Sequence, residues 1–299
     1  MARAARSAAW RRGEQRLGWA LCAPAVAVML AVTAYPMLHA LWLSLQRYRI
    51  TDPGSHRFVG LDNYALILTD PLWWRVVGVT LLITVITVAV ELVLGLGIAL
   101  VMHRLARGRG VVRTAVLVPY GIVTVVSGFA WLYAFRGDSG FVAGWLGLEG
   151  YDFFAGFGSS LLVICLSEIW KTTPFVALLL LAGLAQIPPE LDEAAEMDGA
   201  TAWQRLWLVT LPNMRAAIMV AVLFRTLDAY RIFDNVFVMT AGANGTETVS
   251  FLAYRQIVSR TAMGLGAAVS VLLFLTVVLI AWVFIRLFRT DLAPVGAGR

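Results

Sequence analysis

Residues 188–213, PPELDEAAEMDGATAWQRLWLVTLPN, form a long polar-to-amphipathic interruption in a chain that is otherwise mostly apolar. Pro188 and Pro189 end the helix before them, and Glu190, Asp192 and Glu193 suit the positive end of a new one. Gly199 breaks that short helix, and Thr201 followed by Gln204 has capping-box spacing, so a second helix is predicted to start there. Trp203, Leu206, Trp207 and Leu211 then share one face until Pro212. The stretch reads as a helix–turn–helix outside the bilayer core, with one acidic half and one apolar face. It suits either a loop resting on the membrane surface or a docking element.

On either side lie segments that soluble domains do not contain. The 299 residues are 60% hydrophobic and 14% charged, with a mean hydropathy of +0.79, and a soluble chain has no way to cover so apolar a core. Apolar runs at roughly 17–45, 76–102, 111–135, 159–184, 216–240 and 265–288 are each long enough to cross a hydrocarbon layer of about 30 Å. The expected fold is therefore an all-α polytopic membrane protein: a tail at 1–16, six transmembrane helices over 17–288 with the 188–213 loop between spans four and five, and a tail at 289–299. The first run is too long for a signal peptide, and Leu21 before Cys22 does not suit a lipoprotein cleavage site, so a retained first helix is expected.

Charge sets the orientation. The net charge of +6 is almost all arginine, in short clusters between apolar runs, which fits membrane orientation better than nucleic-acid binding. Arg3, Arg6, Arg11, Arg12 and Arg16 face one acid, Glu14, and the 103–113 loop holds Arg104, Arg107, Arg109 and Arg113 with none. The 136–158 loop has Arg136 against Asp138, Glu149 and Asp152. The positive-inside rule puts both termini, the 103–113 loop and the 188–213 loop in the cytoplasm, with Arg286, Arg289 and Arg299 at the far end agreeing.

Charged residues also lie inside the spans. Arg225, Asp228, Arg231 and Asp234 alternate in sign three apart, interleaved with Phe224, Tyr230 and Phe233. Each costs about 2.5–3.5 kcal/mol at a helix centre, so the stripe must face protein or water. Pairs at i and i+3 lower that cost. Asp234 and Asn235 are expected near the outer end. In the fourth span Glu168 and Lys171 sit one turn apart at a depth of roughly 12–16 Å at 1.5 Å per residue. Pro174 follows, a common means of bending a helix that lines a cavity. Trp170 and Phe175 offer flat apolar faces to a solute, and the charged pair offers hydrogen bonds to its polar groups. Two readings stand: a solute path built from Glu168, Trp170, Lys171, Arg225, Asp228, Tyr230, Arg231, Asp234 and Asn235, or a structural ion-pair ladder. Glu91 is a lone acid in the second span, suited to a structural partner or to transport. Gly95/Gly97 and Gly264/Gly266 suggest close helix packing.

The central stretch carries a resemblance. Glu193-Ala194-Ala195, with Asp198-Gly199 following and then Val209-Thr210-Leu211-Pro212, resembles the EAA loop of permease subunits in binding-protein-dependent ABC importers. Val209 replaces the usual isoleucine, and Ala216 stands where many sugar permeases have a second proline. Phe58-Val59-Gly60-Leu61-Asp62-Asn63-Tyr64 and the 242–248 loop also resemble the carbohydrate branch, the maltose-type permeases. Residues 112–135 and 223–240 are similar to the first permease of mycobacterial trehalose importers. The resemblance implies that Glu193, Ala194, Ala195, Asp198, Gly199, Trp203, Leu211 and Pro212 couple to an ATPase. It further implies a second permease subunit, two ATPase subunits that bind ATP and magnesium, and an extracytoplasmic sugar-binding lipoprotein. Transport would be by alternating access, carrying a sugar such as trehalose.

The chain's own chemistry is compatible with a non-catalytic subunit. Its lysine, in Ile169-Trp170-Lys171-Thr172, is not preceded by the glycine of a P-loop, and no His/Cys cluster or G-x-S-x-G is present. No cofactor or metal is expected on this chain. Alternatives are a permease for glycerol-phosphate or an oligosaccharide, a membrane enzyme acting on lipid-linked sugars, and a secondary transporter. The last is disfavoured because neither an inverted repeat nor paired broken helices are evident in the sequence. A phosphate cargo would favour unpaired arginines in the path, whereas the arginines there, Arg225 and Arg231, have acids nearby in sequence.

Overall fold

The computed structural model describes residues 18–105, 108–148 and 150–288. The basic stretch 1–16, Arg107, Glu149 and the 289–299 tail, all used in the orientation argument, lie outside the described residues. Helix α1 (Gly18–Ser44) is followed by an antiparallel ribbon, β1 (Gln46–Arg49) and β2 (Asp52–Phe58), and by α2 (Asp62–Thr69). Then come α3 (Pro71–Arg104), α4 (Arg109–Gly121), α5 (Thr124–Phe135), α6 (Phe141–Trp145) and α7 (Phe157–Leu184). The helix pair α8 (Pro189–Met197) and α9 (Ala202–Asn213) precedes α10 (Arg215–Ala229), α11 (Asp234–Met239), α12 (Val249–Tyr254) and α13 (Met263–Phe288).

Local chemistry accounts for the boundaries. Asp70 caps α3 by accepting from the Leu72 amide at 2.9 Å, with Pro71 in the first turn. The Thr201/Gln204 capping box forms: Gln204 Oε1 accepts from the Thr201 amide at 2.8 Å, and Thr201 Oγ1 accepts from the Gln204 amide at 3.3 Å. Gly199 turns the chain between α8 and α9 at φ +81°, a conformation that suits glycine. Pro36 and Pro212, the latter expected to end its helix, do not interrupt their helices. Each follows a π turn, Leu30–Ala34 and Leu206–Thr210, in which the next amide bonds five residues back, so the helix passes through. Helix α7 likewise continues through Pro174.

Among the described residues four helices, α1, α3, α7 and α13, are long and apolar enough alone to cross a membrane. Two of the six expected spans are not straight helices. The 111–135 segment is α4 and α5 meeting at 84°. The 216–240 segment is α10 and α11 separated by non-helical residues 230–233, and α9 joins Arg215–Met239 at a bend of 71° to make the sixth candidate. The cause of the first bend is local: Pro119 and Gly121 precede extended Ile122 and Val123. Both segments are thus interrupted helices.

Helix α7 is the hub, buried along most of its length, and its contact with α3 is the most extensive between any two elements. Its buried apolar side chains enter two clusters, one with Ile83, Ile232 and Val236 and another with Ala99, Met214 and Ala221. α1 lies outside, packed on α13, with its apolar side chains exposed as lipid contact requires. The ribbon and α2 sit at one end of the bundle; α8 and α9 sit at the other, beside the end of α3. The ribbon is fastened tightly: Asn63 donates to the carbonyls of Ser44 and Gln46 at 2.8 and 2.9 Å, and the Ile50 amide donates to Thr261 at 3.0 Å. Gly264 permits the approach, since a Cβ there would collide with the Gln46 carbonyl.

Candidate functional site

Arg225 is the largest fully buried side chain in the bundle, with 1% of its surface exposed. Its guanidinium, carried on α10, meets acids from three elements. Nε and Nη2 donate to Glu91 of α3, the latter at 3.0 Å; Nη2 also donates to Glu168 of α7 at 2.8 Å, and Nη1 to Asp228 at 2.8 Å. Asn235 of α11 donates to Glu168 Oε2 at 2.7 Å, and Thr172 to Glu91 Oε1 at 2.8 Å. A charge buried this deeply is tolerated only with its hydrogen bonds filled, and here each nitrogen of the fork donates to a carboxylate. The network ties α3, α7, α10 and α11 together at the depth of the breaks. Glu91, 134 residues from Arg225, is therefore paired rather than lone.

The fourth-span pair does not form. Glu168 turns to Arg225 and Asn235, while Lys171 donates to the Ile122 carbonyl at 2.8 Å and the Tyr120 carbonyl at 3.4 Å and lies 5.6 Å from the Tyr120 ring centroid. Those carbonyls belong to the elbow between α4 and α5, where the break leaves helix-end acceptors without intrahelical donors. Lys171 also brings a positive charge to the negative end of α4. Phe175 stacks on Tyr120 at 5.5 Å and braces the same corner.

Between the elbow, α7 and the break at 230–233 lies a polar cavity of about 420 Å³. Lys171 and Arg231 line it with positive charge, Glu168, Asp228 and Asp234 with negative charge, and Thr124, Thr172 and Asn235 add neutral polar groups. Asp228 is 65% exposed toward this space despite its bond to Arg225. Asn235 has no exposed surface, and its Oδ1 has no hydrogen-bond partner. A buried acceptor left open on a cavity wall suits a solute donor.

Of the nine residues expected on a path, Glu168, Lys171, Asp228, Arg231, Asp234 and Asn235 line the cavity. Arg225 stands behind it. Trp170 is 42% exposed, turned toward Trp131, and off the lining, while Tyr230 is buried in the bundle. Asn235 bonds Glu168, and Asp234 lines the same cavity. Arg231 differs from the expectation of paired arginines: it donates to the Leu227 carbonyl at 3.1 Å and closes no ion pair among the described residues. Missing from the sequence reading were Tyr120, Ile122, Thr124 and Thr172; Pro119 followed by Gly121 was the available signal for the elbow.

At the opposite end of the functional question stands the helix pair. Arg205 of α9 bridges back to Glu196 at 2.5 Å and Asp192 at 3.4 Å on α8, holding the two helices together. Glu193, Ala194, Asp198, Gly199 and Pro212 are exposed, and Ala195 and Leu211 half-buried. Trp203 and Trp207 meet edge to face at 5.7 Å and, with Met197 and Leu208, leave a large apolar patch in the open. Such a patch on an otherwise polar element marks an interaction surface.

Residues 91–289 match the family described as binding-protein-dependent transport system inner membrane component. The chain is 52% identical over 96% of its length to the trehalose transport system permease protein SugA of Mycobacterium tuberculosis, covering 92% of that protein. It is 35% identical over 93% of its length to the trehalose/maltose transport system permease protein MalF of Thermococcus litoralis, covering 96% of it. Among solved structures, a bacterial ABC transporter involved in import of the acidic polysaccharide alginate superposes with a TM-score of 0.81 at 20% identity, covering 95% of this chain and 99% of that one.

Proposed function

The chain belongs to the binding-protein-dependent transport system inner membrane components, and from that premise we propose that it carries an uncharged disaccharide, trehalose, into the cytoplasm as one of two permease subunits. The ATPase lies on partner chains, and a sugar-binding protein delivers the solute from outside. The end bearing α8 and α9 faces the cytoplasm, in keeping with the arginine-rich 103–113 loop. There the exposed face around Glu193, Gly199, Trp203 and Trp207 engages the ATPase and passes on its nucleotide state. Binding of sugar alone cannot drive uphill import, so the helix pair must couple ATP state to which side of the bundle is open.

The observation that carries the substrate reading is the mixed polarity of the cavity. Two cations, three carboxylates and an open amide acceptor offer both donors and acceptors without a dominant charge, which suits a polyhydroxy solute. Exposed Asp228 and unpaired Arg231 at that depth cannot face lipid, so the cavity's open side is closed by the second permease or filled by water. The relative over nearly the whole chain is a trehalose permease.

The test is uptake of labelled trehalose by the assembled complex in proteoliposomes, supplied with binding protein outside and ATP inside. Trehalose uptake competed by maltose but not by glycerol 3-phosphate is expected. Uptake of glycerol 3-phosphate with none of trehalose would overturn the neutral-sugar reading.

A further inference from the structure

The end of the bundle away from the helix pair carries charge that transport does not use. Arg47 and Arg57 are directly opposed in the ribbon register, an arrangement that like charges disfavour. Neither forms an ion pair among the described residues. Together with Arg49 they line a pocket of about 190 Å³ against α2 and the start of α13, in which Asp62 is the sole carboxylate. The ribbon beneath them is fastened: Asn63 of α2 donates to the Ser44 and Gln46 carbonyls, and the Ile50 amide donates to Thr261, just before α13.

The surroundings identify the ligand class. Trp42, Phe58, Leu61 and Leu66 are all more than half exposed around the arginines, a pattern of side chains at the boundary between acyl chains and headgroups. Beside the pocket, an apolar groove of about 560 Å³ runs between α1, α2 and α13, lined by Leu38, Trp42, Tyr64 and Leu275. Leu265 belongs to the pocket and Leu275 to the groove, a separation of about 15 Å along α13 at 1.5 Å per residue. Basic side chains at the interface and an apolar channel leading into the membrane match the two ends of a phospholipid.

We infer that the pocket formed by Arg47, Arg49 and Arg57 binds the phosphate head of an anionic phospholipid, with an acyl chain in the α1–α2–α13 groove. The guanidiniums supply paired hydrogen bonds to phosphate oxygens, and the bound head relieves the repulsion between Arg47 and Arg57. An acidic surface on the external binding protein is the competing occupant. The apolar rim favours lipid, because a water-facing protein contact does not call for four exposed apolar side chains and an apolar groove beside the basic pocket. The site rests on the chain being in a membrane and not on the identity of the sugar.

The experiment is a titration of the purified full complex with phosphatidylglycerol or phosphatidylcholine, read by native mass spectrometry. Wild type and Arg47→Gln/Arg57→Gln are compared, with Arg47→Lys/Arg57→Lys as the charge-preserving control. Near a membrane surface each arginine strengthens anion binding about fivefold, so the double neutral variant is expected to lose about thirtyfold in affinity for the first phosphatidylglycerol. The lysine variant should retain most of it, and inorganic phosphate should not displace the lipid. Equal binding of both lipids by wild type refutes the inference, even if the variants fail to assemble. So does an intact lipid preference in the glutamine variant accompanied by weaker capture of the binding protein.

Discussion

Replacing Arg225 with methionine tests whether the buried charges hold the bundle together or serve the solute. The substitution keeps most of the side-chain volume but removes the donors to Glu91, Glu168 and Asp228. Asp228 is largely exposed and returns to water or to the cavity at little cost. Glu168 keeps Asn235, and Glu91 keeps only Thr172. Glu91 has no exposed surface, so its carboxylate would be left buried without a counter-charge. Breaking a buried pair from one side costs about 3–5 kcal/mol. Glu91→Gln is milder: it removes charge from a site where the amide oxygen can still accept from Thr172, costing about 1.5–3 kcal/mol, the worth of a charged hydrogen bond. In the double variant no stranded charge remains at Glu91, so the combined loss should be smaller than the sum of the two. The assay is thermal unfolding of the lipid-embedded complex, followed by tryptophan fluorescence beside the yield of assembled complex. An Arg225→Met complex that assembles with unchanged thermal stability and loses only trehalose uptake would refute the scaffold argument.

Other consequences are open to measurement. At Gly199 a Cβ would meet nothing within 4 Å, so Gly199→Asn, which tolerates positive φ, should leave uptake near wild type, whereas Gly199→Trp should abolish it without reducing the amount in the membrane. If both variants transported normally, the exposed turn would not be a coupling contact. Lys171→Met should leave the Ile122 and Tyr120 carbonyls unpaired, costing about 1–3 kcal/mol, and should raise hydrogen exchange around 119–124; unchanged exchange there would exclude Lys171 as the elbow's clamp. Asn235→Leu should weaken uptake while retaining the fold, since it removes the open acceptor but also one bond to Glu168; full uptake in the variant would remove Asn235 from the path. Burial raises the Glu247 carboxyl above its ordinary range, with Arg255, Arg260 and Arg75 opposing. A raised folded value means that this group's stabilisation is complete below the unfolded value and is lost as pH rises through the folded one. Thermal stability should therefore fall on going from mild acid toward neutral pH, with a shallower fall in Glu247→Gln; identical profiles would sink the argument.

Much of this was readable in the residues, and what was not has a physical cause. Helix positions could be read because membrane spans need long apolar runs, and the α8–α9 turn because Pro189, Gly199 and the Thr201/Gln204 pair act locally. The stripe at 225–234 announced that charges must be satisfied but not by what. Glu91 reaches Arg225 only after α3 and α10 have packed, and no local pattern encodes that meeting. Glu168 and Lys171 misled for the same reason: spacing of one helical turn permits a pair, yet Arg225 offered Glu168 a fork and the elbow offered Lys171 unpaired carbonyls. The elbow was hidden because residues 111–135 remain apolar through the bend. The ribbon at 46–58 was hidden because its register depends on anchoring by Asn63 and Thr261 rather than on alternating polarity.

The π turn at Leu206–Thr210 sets a phase as well as a path. It is a helix carrying one surplus residue, and a residue in an α-helix corresponds to about 100° of rotation. The azimuth of Trp203 relative to α10 is therefore fixed by that surplus residue and not by the chemistry of the tryptophan. Deleting Thr210 would leave Trp203, Trp207 and Leu208 in the sequence and swing Trp203 about a quarter-turn around the axis. A single-residue length change in this stretch therefore alters where the surface points, whereas a substitution alters what it is made of.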